Sequence, residues 1–135
     1  MSAARTLTNA TILKLRDGLK ALDGIAGKPG EIIRFDFDAA TSWNITKNMV
    51  LIERAAEVYE RERAKISQAD GVPPGMAVTE ANAEKVALWK NKIDVLKNEG
   101  TQEITGLLKI RRQDLQKAGV KVPGIMANLF DLIEE

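Results

Sequence analysis

Cysteine and histidine are absent from the sequence, and their absence excludes much of the usual chemistry of protein sites. The chain has no thiol nucleophile, no disulfide, no thiolate or imidazole zinc ligand, and no serine–histidine or cysteine–histidine relay. No D-x-[DN]-x-[DN]-G pattern indicates a calcium loop. We therefore predict a protein without catalytic residues, cofactor or metal. An enzyme built from carboxylates, lysine and tyrosine is the alternative that the composition leaves open.

Aromatic residues, net charge and long apolar runs are also scarce. The chain has two tryptophans, one tyrosine and three phenylalanines, and its formal net charge is +1. No overall field therefore attracts nucleic acid or an anionic membrane. The longest apolar stretches, such as Met49–Ile52, are far shorter than the roughly 20 residues that span a bilayer. Because the first residues also lack the apolar run of a secretory signal, we expect a cytoplasmic protein without a membrane partner.

What the sequence does contain is helical patterning. Its 135 residues, 44% hydrophobic and 29% charged, are typical of one globular domain. Three segments carry apolar residues at alternating steps of three and four, which predicts three amphipathic helices. They span about residues 8–22, 39–69 and 79–98. Each is expected to start at a residue whose side-chain oxygen can cap free backbone N–H groups. These residues are Thr8, Asp38 and Thr79. Gly24 and residues 27–30 end the first helix.

Two short segments have the pattern of strands. In residues 31–38, Ile33, Phe35 and Phe37 alternate with charged residues, and in residues 103–110 the apolar side chains again fall on one side. Isolated strands need partners, so we expect the two segments to pair with each other or with a neighbouring subunit.

The predicted fold is thus mainly α, an elongated helical hairpin or small bundle with a minor two-stranded β element. A short C-terminal helix opens at Pro123–Gly124. Residues 1–135 form a single helical domain, and two prolines and two glycines predict an exposed loop near residues 70–78.

Three aromatic residues and two arginines are candidate interface residues. Trp43, Tyr59 and Trp89 fall on or near the helical stripes, and tryptophan is enriched at binding hot spots, although core packing is the commoner explanation. Arg111 and Arg112 belong to a basic segment, residues 109–121, which defines an alternative function, a small regulatory protein that binds nucleic acid. A solvated surface is the favoured interpretation, because no helix-turn-helix, zinc or aromatic-platform pattern accompanies these charges.

Several positions carry a resemblance to a known family. They run through most of the chain: Leu7-Thr8-Asn9, Trp43, Asn48, Met49, Ile52, Glu53, Tyr59-Glu60, Arg63, Ile104, Leu108, Ile110, Asp114-Leu115, Leu129, Leu132 and Ile133. On these residues the chain resembles an uncharacterised family of small helical proteins encoded by tailed bacteriophages and prophages, near head and tail morphogenesis genes. The resemblance implies a long helix, a Pro/Gly loop, a second helix, an extended stretch and a short terminal helix.

The expected function is that of a non-enzymatic protein–protein interaction module, a bacteriophage structural (virion) or assembly protein. It is expected to bury its heptad-like stripes against copies of itself, as a homo-oligomer, or against other phage head or tail proteins. The expected location is the cytoplasm of the bacterial host, or the virion if the protein is incorporated there. Nucleic acid is the less favoured partner.

Overall fold

Helices build most of the chain, close to the places that the apolar stripes predict. The computed structural model describes residues 4–26 and 29–134, so the part of the predicted helix stop at residues 27–28 lies outside the described residues. The helices are α1 (Asn9–Leu22), α2 (Ala39–Asp70), α3 (Ala83–Asn98), α4 (Arg112–Lys117) and α5 (Pro123–Asn128), and a 3₁₀ turn, Phe130–Leu132, follows α5.

Two of the three predicted N-caps are confirmed. The Thr8 hydroxyl accepts a hydrogen bond from the Thr11 backbone N–H at 3.2 Å, and the Asp38 carboxylate accepts from the Thr41 N–H at 2.7 Å. Each bond satisfies a donor that the first helical turn leaves free. At its other end, α2 stops at Gly71, whose φ of 66° is the left-handed conformation that glycine adopts without strain.

The predicted cap of α3 at Thr79 is wrong, because α3 begins only at Ala83. The Thr79 backbone N–H donates to the Asn82 side-chain oxygen at 2.7 Å, and the Asn82 amide donates to the Ala77 carbonyl at 2.9 Å. Asn82 therefore closes a local turn over the residues that the sequence assigned to the first turn of the helix.

Short strands form three two-stranded ladders within the described residues. Their members are β1 (Arg5–Thr8), β2 (Ile25–Ala26), β3 (Ile32–Ile33), β4 (Thr101–Ile104), β5 (Ile110–Arg111) and β6 (Ile133–Glu134). Strand β1 pairs with β4 and β2 with β3, both antiparallel, whereas β5 pairs with β6 in parallel.

The predicted pairing between residues 31–38 and residues 103–110 is therefore wrong. Ile32–Ile33 finds its partner in the segment just before it, and the second region is divided between β1 and β6. Phe35 and Phe37 lie beyond the ladder but are half-buried against the core. Beyond the ladder, the alternation at Phe35 and Phe37 thus reflects one half-buried side of a segment without strand pairing.

The main core lies between α1, the first half of α2 and the C-terminal elements. Its fully buried side chains include Ile12, Leu15, Leu19, Ile52, Leu115, Leu129 and Leu132. The apolar stripes of α1 and of most of α2 are therefore buried within the chain itself, and they are not left on the surface as the docking ridges that the sequence suggested.

A second, smaller packing region joins α3 to the far half of α2. Ser67, near the end of α2, contacts Trp89 in the first half of α3, and the Ala55 carbonyl accepts from Gln102 just beyond α3. The two helices therefore run antiparallel as a hairpin. Buried Val86 and Ile93 lie outside the main core, so the hairpin end has a thin apolar interior. The predicted fold class, mainly α with a minor two-stranded β element and a short C-terminal helix, is confirmed.

Candidate functional site

A cavity of about 610 Å³ opens at the end of the helical hairpin, between α2, the loop that follows it and α3. We call it the hairpin cleft. Its lining comprises Glu60, Arg63, Ala64, Ser67, Gln68, Gly71, Val72, Pro73, Pro74, Gly75, Met76, Val86 and Trp89. A concave site of this size with mainly apolar walls and a few polar groups is typical of a binding site.

Trp89 forms one wall of the hairpin cleft and is fixed in orientation. Its indole N–H donates to the Ser67 hydroxyl at 3.0 Å, so the polar atom of the ring is satisfied within the chain. The ring itself is only half-buried. The remaining accessible part of the indole therefore offers apolar contact without an unsatisfied donor.

Arg63 lies over this ring, with its guanidinium carbon 5.9 Å from the ring centroid. This distance is within the range of a cation–π contact. In the sequence, Arg63 is a charged residue that interrupts the apolar stripe of α2. The spacing of Arg63 and Trp89 along the chain gave no signal of their contact, which depends on the hairpin packing.

The Pro/Gly loop forms the other wall. The Val72 backbone N–H donates to the Ser67 carbonyl at 2.9 Å, and the Val72 side chain is buried. A further bond, from the Met76 N–H to the Pro73 carbonyl at 3.2 Å, closes a turn in which Pro73 and Pro74 remain exposed. The loop predicted near residues 70–78 is therefore exposed only in part, since it is tied to α2 through Val72.

The other aromatic candidates do not join the hairpin cleft. Tyr59 is buried in the chain, and its burial raises the pKa of its hydroxyl above the ordinary value. Trp43 is 64% exposed on the outward side of α2, where the Lys47 ammonium lies 5.5 Å from its ring centroid. Of the three, Trp89 alone lines the cleft.

Arg111 and Arg112 line different cavities. The Arg111 guanidinium contacts both carboxylate oxygens of Asp114, at 3.0 and 3.3 Å, and this hydrogen-bonded pair raises the pKa of Arg111 above its ordinary value. Arg111 lines a polar cavity of about 290 Å³ that also contains Asp38 and Glu134. Arg112 instead lines a cavity of about 250 Å³ beside Phe130. The basic segment is therefore divided between two cavities. The cavity beside Arg111 is also lined by the carboxylates of Asp38, Asp114 and Glu134.

Within residues 4–26 and 29–134, no three acidic side chains lie close enough together to hold a metal ion. In the same residues, every helix is too short or too polar to cross a membrane.

Comparisons of the chain with protein-family models, with curated proteins and with solved structures find no match. The hairpin cleft is therefore the main basis for a functional proposal.

Proposed function

We propose that this protein is a non-enzymatic protein–protein interaction module, which holds an apolar side chain of a partner protein in the hairpin cleft. The observation that carries the proposal is the fixed indole of Trp89 in a cavity of about 610 Å³ that the chain leaves open. Aromatic side chains in partly enclosed pockets are the usual anchors of protein interfaces. Such a side chain loses little freedom on binding because it is already held in place.

Burial of the helical stripes also supports the cleft as the binding surface. Ile12, Leu15, Leu19 and Ile52 are fully enclosed by their own chain, so they are not accessible to a partner. The hairpin cleft, by contrast, is a concave and mainly apolar surface that stays open, with Trp89 and the exposed prolines at its walls.

Selection of peptides from a random display library on the immobilised full chain tests this function. We expect the enriched peptides to share a large apolar residue and to lose binding to a Trp89→Ala variant. Trp43→Ala is the matched control, because Trp43 is exposed outside the cleft.

A second variant guards against an effect of Trp89→Ala on folding. Ala64 is exposed and lines the hairpin cleft, so Ala64→Trp should fill the cleft without removing a buried group. Peptides that bind Ala64→Trp and Trp89→Ala as tightly as the wild type, with helix content unchanged by circular dichroism, would overturn the proposal.

The proposed setting is phage head or tail assembly, either in the host cytoplasm or as part of the virion. Its support is the resemblance in sequence pattern alone. Mass spectrometry of purified particles, together with the order of neighbouring genes, tests this setting. Absence of both the protein from particles and its gene from a morphogenesis cluster would contradict it.

One observation supports a second candidate function, nucleic acid binding. Phe130 is 71% exposed and lies at a cavity that Arg5, Lys109 and Arg112 also line. Aromatic rings that stack bases beside cations that hold phosphates are the usual elements of single-strand binding sites. In the sequence Phe130 lies outside the basic segment 109–121, so no aromatic residue is interleaved with those charges.

This alternative makes a prediction that separates the two arginines. Arg112→Ala should weaken the binding of a labelled single-stranded oligonucleotide more than Arg111→Ala, because Arg112 lines the cavity beside Phe130 and Arg111 lines a different one. Binding should also fall steeply as salt rises. Failure of the wild type to retard any oligonucleotide at low salt would exclude it.

A further inference from the structure

The charges around the hairpin cleft are unevenly neutralised. Among the acidic residues there, the Glu60 carboxylate lies 3.8 Å from the Arg16 guanidinium, and the Asp70 carboxylate contacts the Lys92 ammonium at 2.8 Å. Over the described part of the chain, the Arg63 guanidinium has no carboxylate within ion-pair distance. The acidic groups at the cleft are therefore paired and Arg63 is not.

Arg63 can still bind an acceptor. Its contact with Trp89 is to the ring, and no acceptor in the described residues takes its N–H groups. A guanidinium has five N–H donors in a planar arrangement that matches a carboxylate in two-point contact. A carboxylate at the mouth of the hairpin cleft would thus bind Arg63 without displacing it from the ring.

Lys85, which is exposed and lies just outside the lining of the cleft, supplies a second positive charge beside the loop. Its ammonium nitrogen lies 2.8 Å from the point where a Cβ on Gly71 would stand, so it reaches the loop that lines the cleft. Like Arg63, Lys85 has no ion pair within residues 4–26 and 29–134. Two unpaired cations, one from α2 and one from α3, therefore flank the apolar cleft.

We infer that the occupant of the hairpin cleft is an acidic peptide segment of a partner protein, in which a large apolar residue is flanked by aspartate or glutamate. This inference rests on the proposed function. The apolar side chain packs against Trp89, and the flanking carboxylates bind Arg63 and Lys85. Charge complementarity of this kind selects partners and speeds association more than it adds affinity.

A charge-reversal selection tests the inference. Peptides are selected from one random library on the wild type and, separately, on a double variant, Arg63→Glu with Lys85→Glu. On the wild type we expect acidic residues beside the apolar anchor, and on the double variant we expect lysine or arginine there. Peptides selected on the wild type should bind the double variant roughly tenfold more weakly, and the difference should shrink at high salt.

The matched control is Arg54→Glu with Lys97→Glu. It makes the same change in net charge on the same two helices, at exposed positions outside the cleft lining: Arg54 lies in the first half of α2 and Lys97 in the last turn of α3. The control should bind the selected peptides like the wild type. An equal loss in the control and in the test variant would contradict the inference, because it would indicate a general effect of net charge.

The two proposals fail in different ways. Peptides that depend on Trp89 but carry no acidic residues, and that bind the double variant unchanged, would overturn the acidic occupant and leave the proposed function in place. Peptides whose binding is indifferent to Trp89 and to Ala64→Trp would overturn the proposed function itself.

Discussion

At the scale of single residues, buried amide side chains replace regular sheet hydrogen bonds. Asn48 on α2 is 0% exposed; its amide donates to the Leu108 carbonyl at 2.8 Å and its oxygen accepts from the Leu108 N–H at 2.7 Å. One side chain thus satisfies both backbone groups of an irregular segment, as a neighbouring strand would. Asn9 and Gln102 form a similar link, at 2.8 Å, between α1 and β4.

Substitution of Asn48 by alanine should destabilise the protein strongly. The change leaves the two backbone groups of half-buried Leu108 without their partner, and an unsatisfied buried group of this kind costs about 1–3 kcal/mol. We expect the free energy of unfolding in urea to fall by at least about 2 kcal/mol. Asn44→Ala, one turn earlier on α2, is the control, because Asn44 is only half-buried. Equal losses in the two variants would contradict the role of the Leu108 contact.

Asp38 makes the stability of α2 depend on pH in acid. The backbone hydrogen bond from Thr41 lowers the pKa of the Asp38 carboxyl below its ordinary value of 3.8. A carboxyl whose pKa is lower in the folded state stabilises that state when it is ionised. This contribution is present above 3.8 and is lost as the pH falls through the folded-state pKa.

Asp38→Asn tests this dependence, because asparagine also caps helices but does not titrate. The wild type should have the higher melting temperature at neutral pH, since a carboxylate also interacts favourably with the helix N-terminus. The gap should close as the pH falls below 3.8. A gap that stays constant through that range would show that the ionised carboxylate contributes nothing.

At the scale of elements, the sequence predicted helices well and strand pairing poorly. The stripes of α1 and α2 contain enough residues for the period of 3.6 to stand out, and the ends at Asp38 and Thr8 have local cap chemistry. A two- or four-residue strand carries no comparable pattern. Strand β1 has four residues, RTLT, and its partner β4 lies more than ninety residues away, so only tertiary packing defines the pair.

The hairpin cleft could be predicted only in part, because its walls are also brought together by tertiary packing. Trp89 and the Pro/Gly loop were recognised from residue type, but they were treated as separate features. Their convergence depends on the antiparallel packing of α3 on α2 and on the hydrogen bond from Trp89 to Ser67. Arg63 was missed because a charged residue in an apolar stripe, taken alone, indicates a solvated turn and not a ring contact.

The approach of α1 to the end of α5 depends on Gly18. A Cβ at this position would lie 2.8 Å from Leu129 Cδ2 and 2.9 Å from Leu129 Cγ, closer than packed atoms allow. Gly18→Ala should therefore destabilise the protein despite a gain in helix propensity of about 1 kcal/mol, because overpacking costs about 1–3 kcal/mol. Gly124→Ala is the control, since a Cβ there meets nothing within 4 Å. If chemical denaturation shows Gly18→Ala to be more stable than Gly124→Ala, the close contact at Gly18 is contradicted.

At the scale of the whole molecule, apolar side chains are buried more fully in the main core than at the hairpin end. The main core encloses the stripes of α1 and of most of α2, whereas the hairpin end has a thin interior beside an open cleft. Large apolar side chains also remain outside, and Trp43 is the largest of those on α2. An exposed tryptophan on a long helix presents apolar area that association would remove from water.

Self-association is therefore expected to depend on Trp43. Light scattering of the wild type at micromolar concentration should give a mass that rises with concentration, and Trp43→Ser should lower it towards that of the monomer. The control is Trp89→Phe, which keeps an aromatic ring in the hairpin cleft. If Trp89→Phe lost association and Trp43→Ser did not, the contact between copies would lie at the hairpin cleft and not at Trp43. A wild type that stays monomeric at every concentration would contradict the homo-oligomer and leave a different protein as the partner.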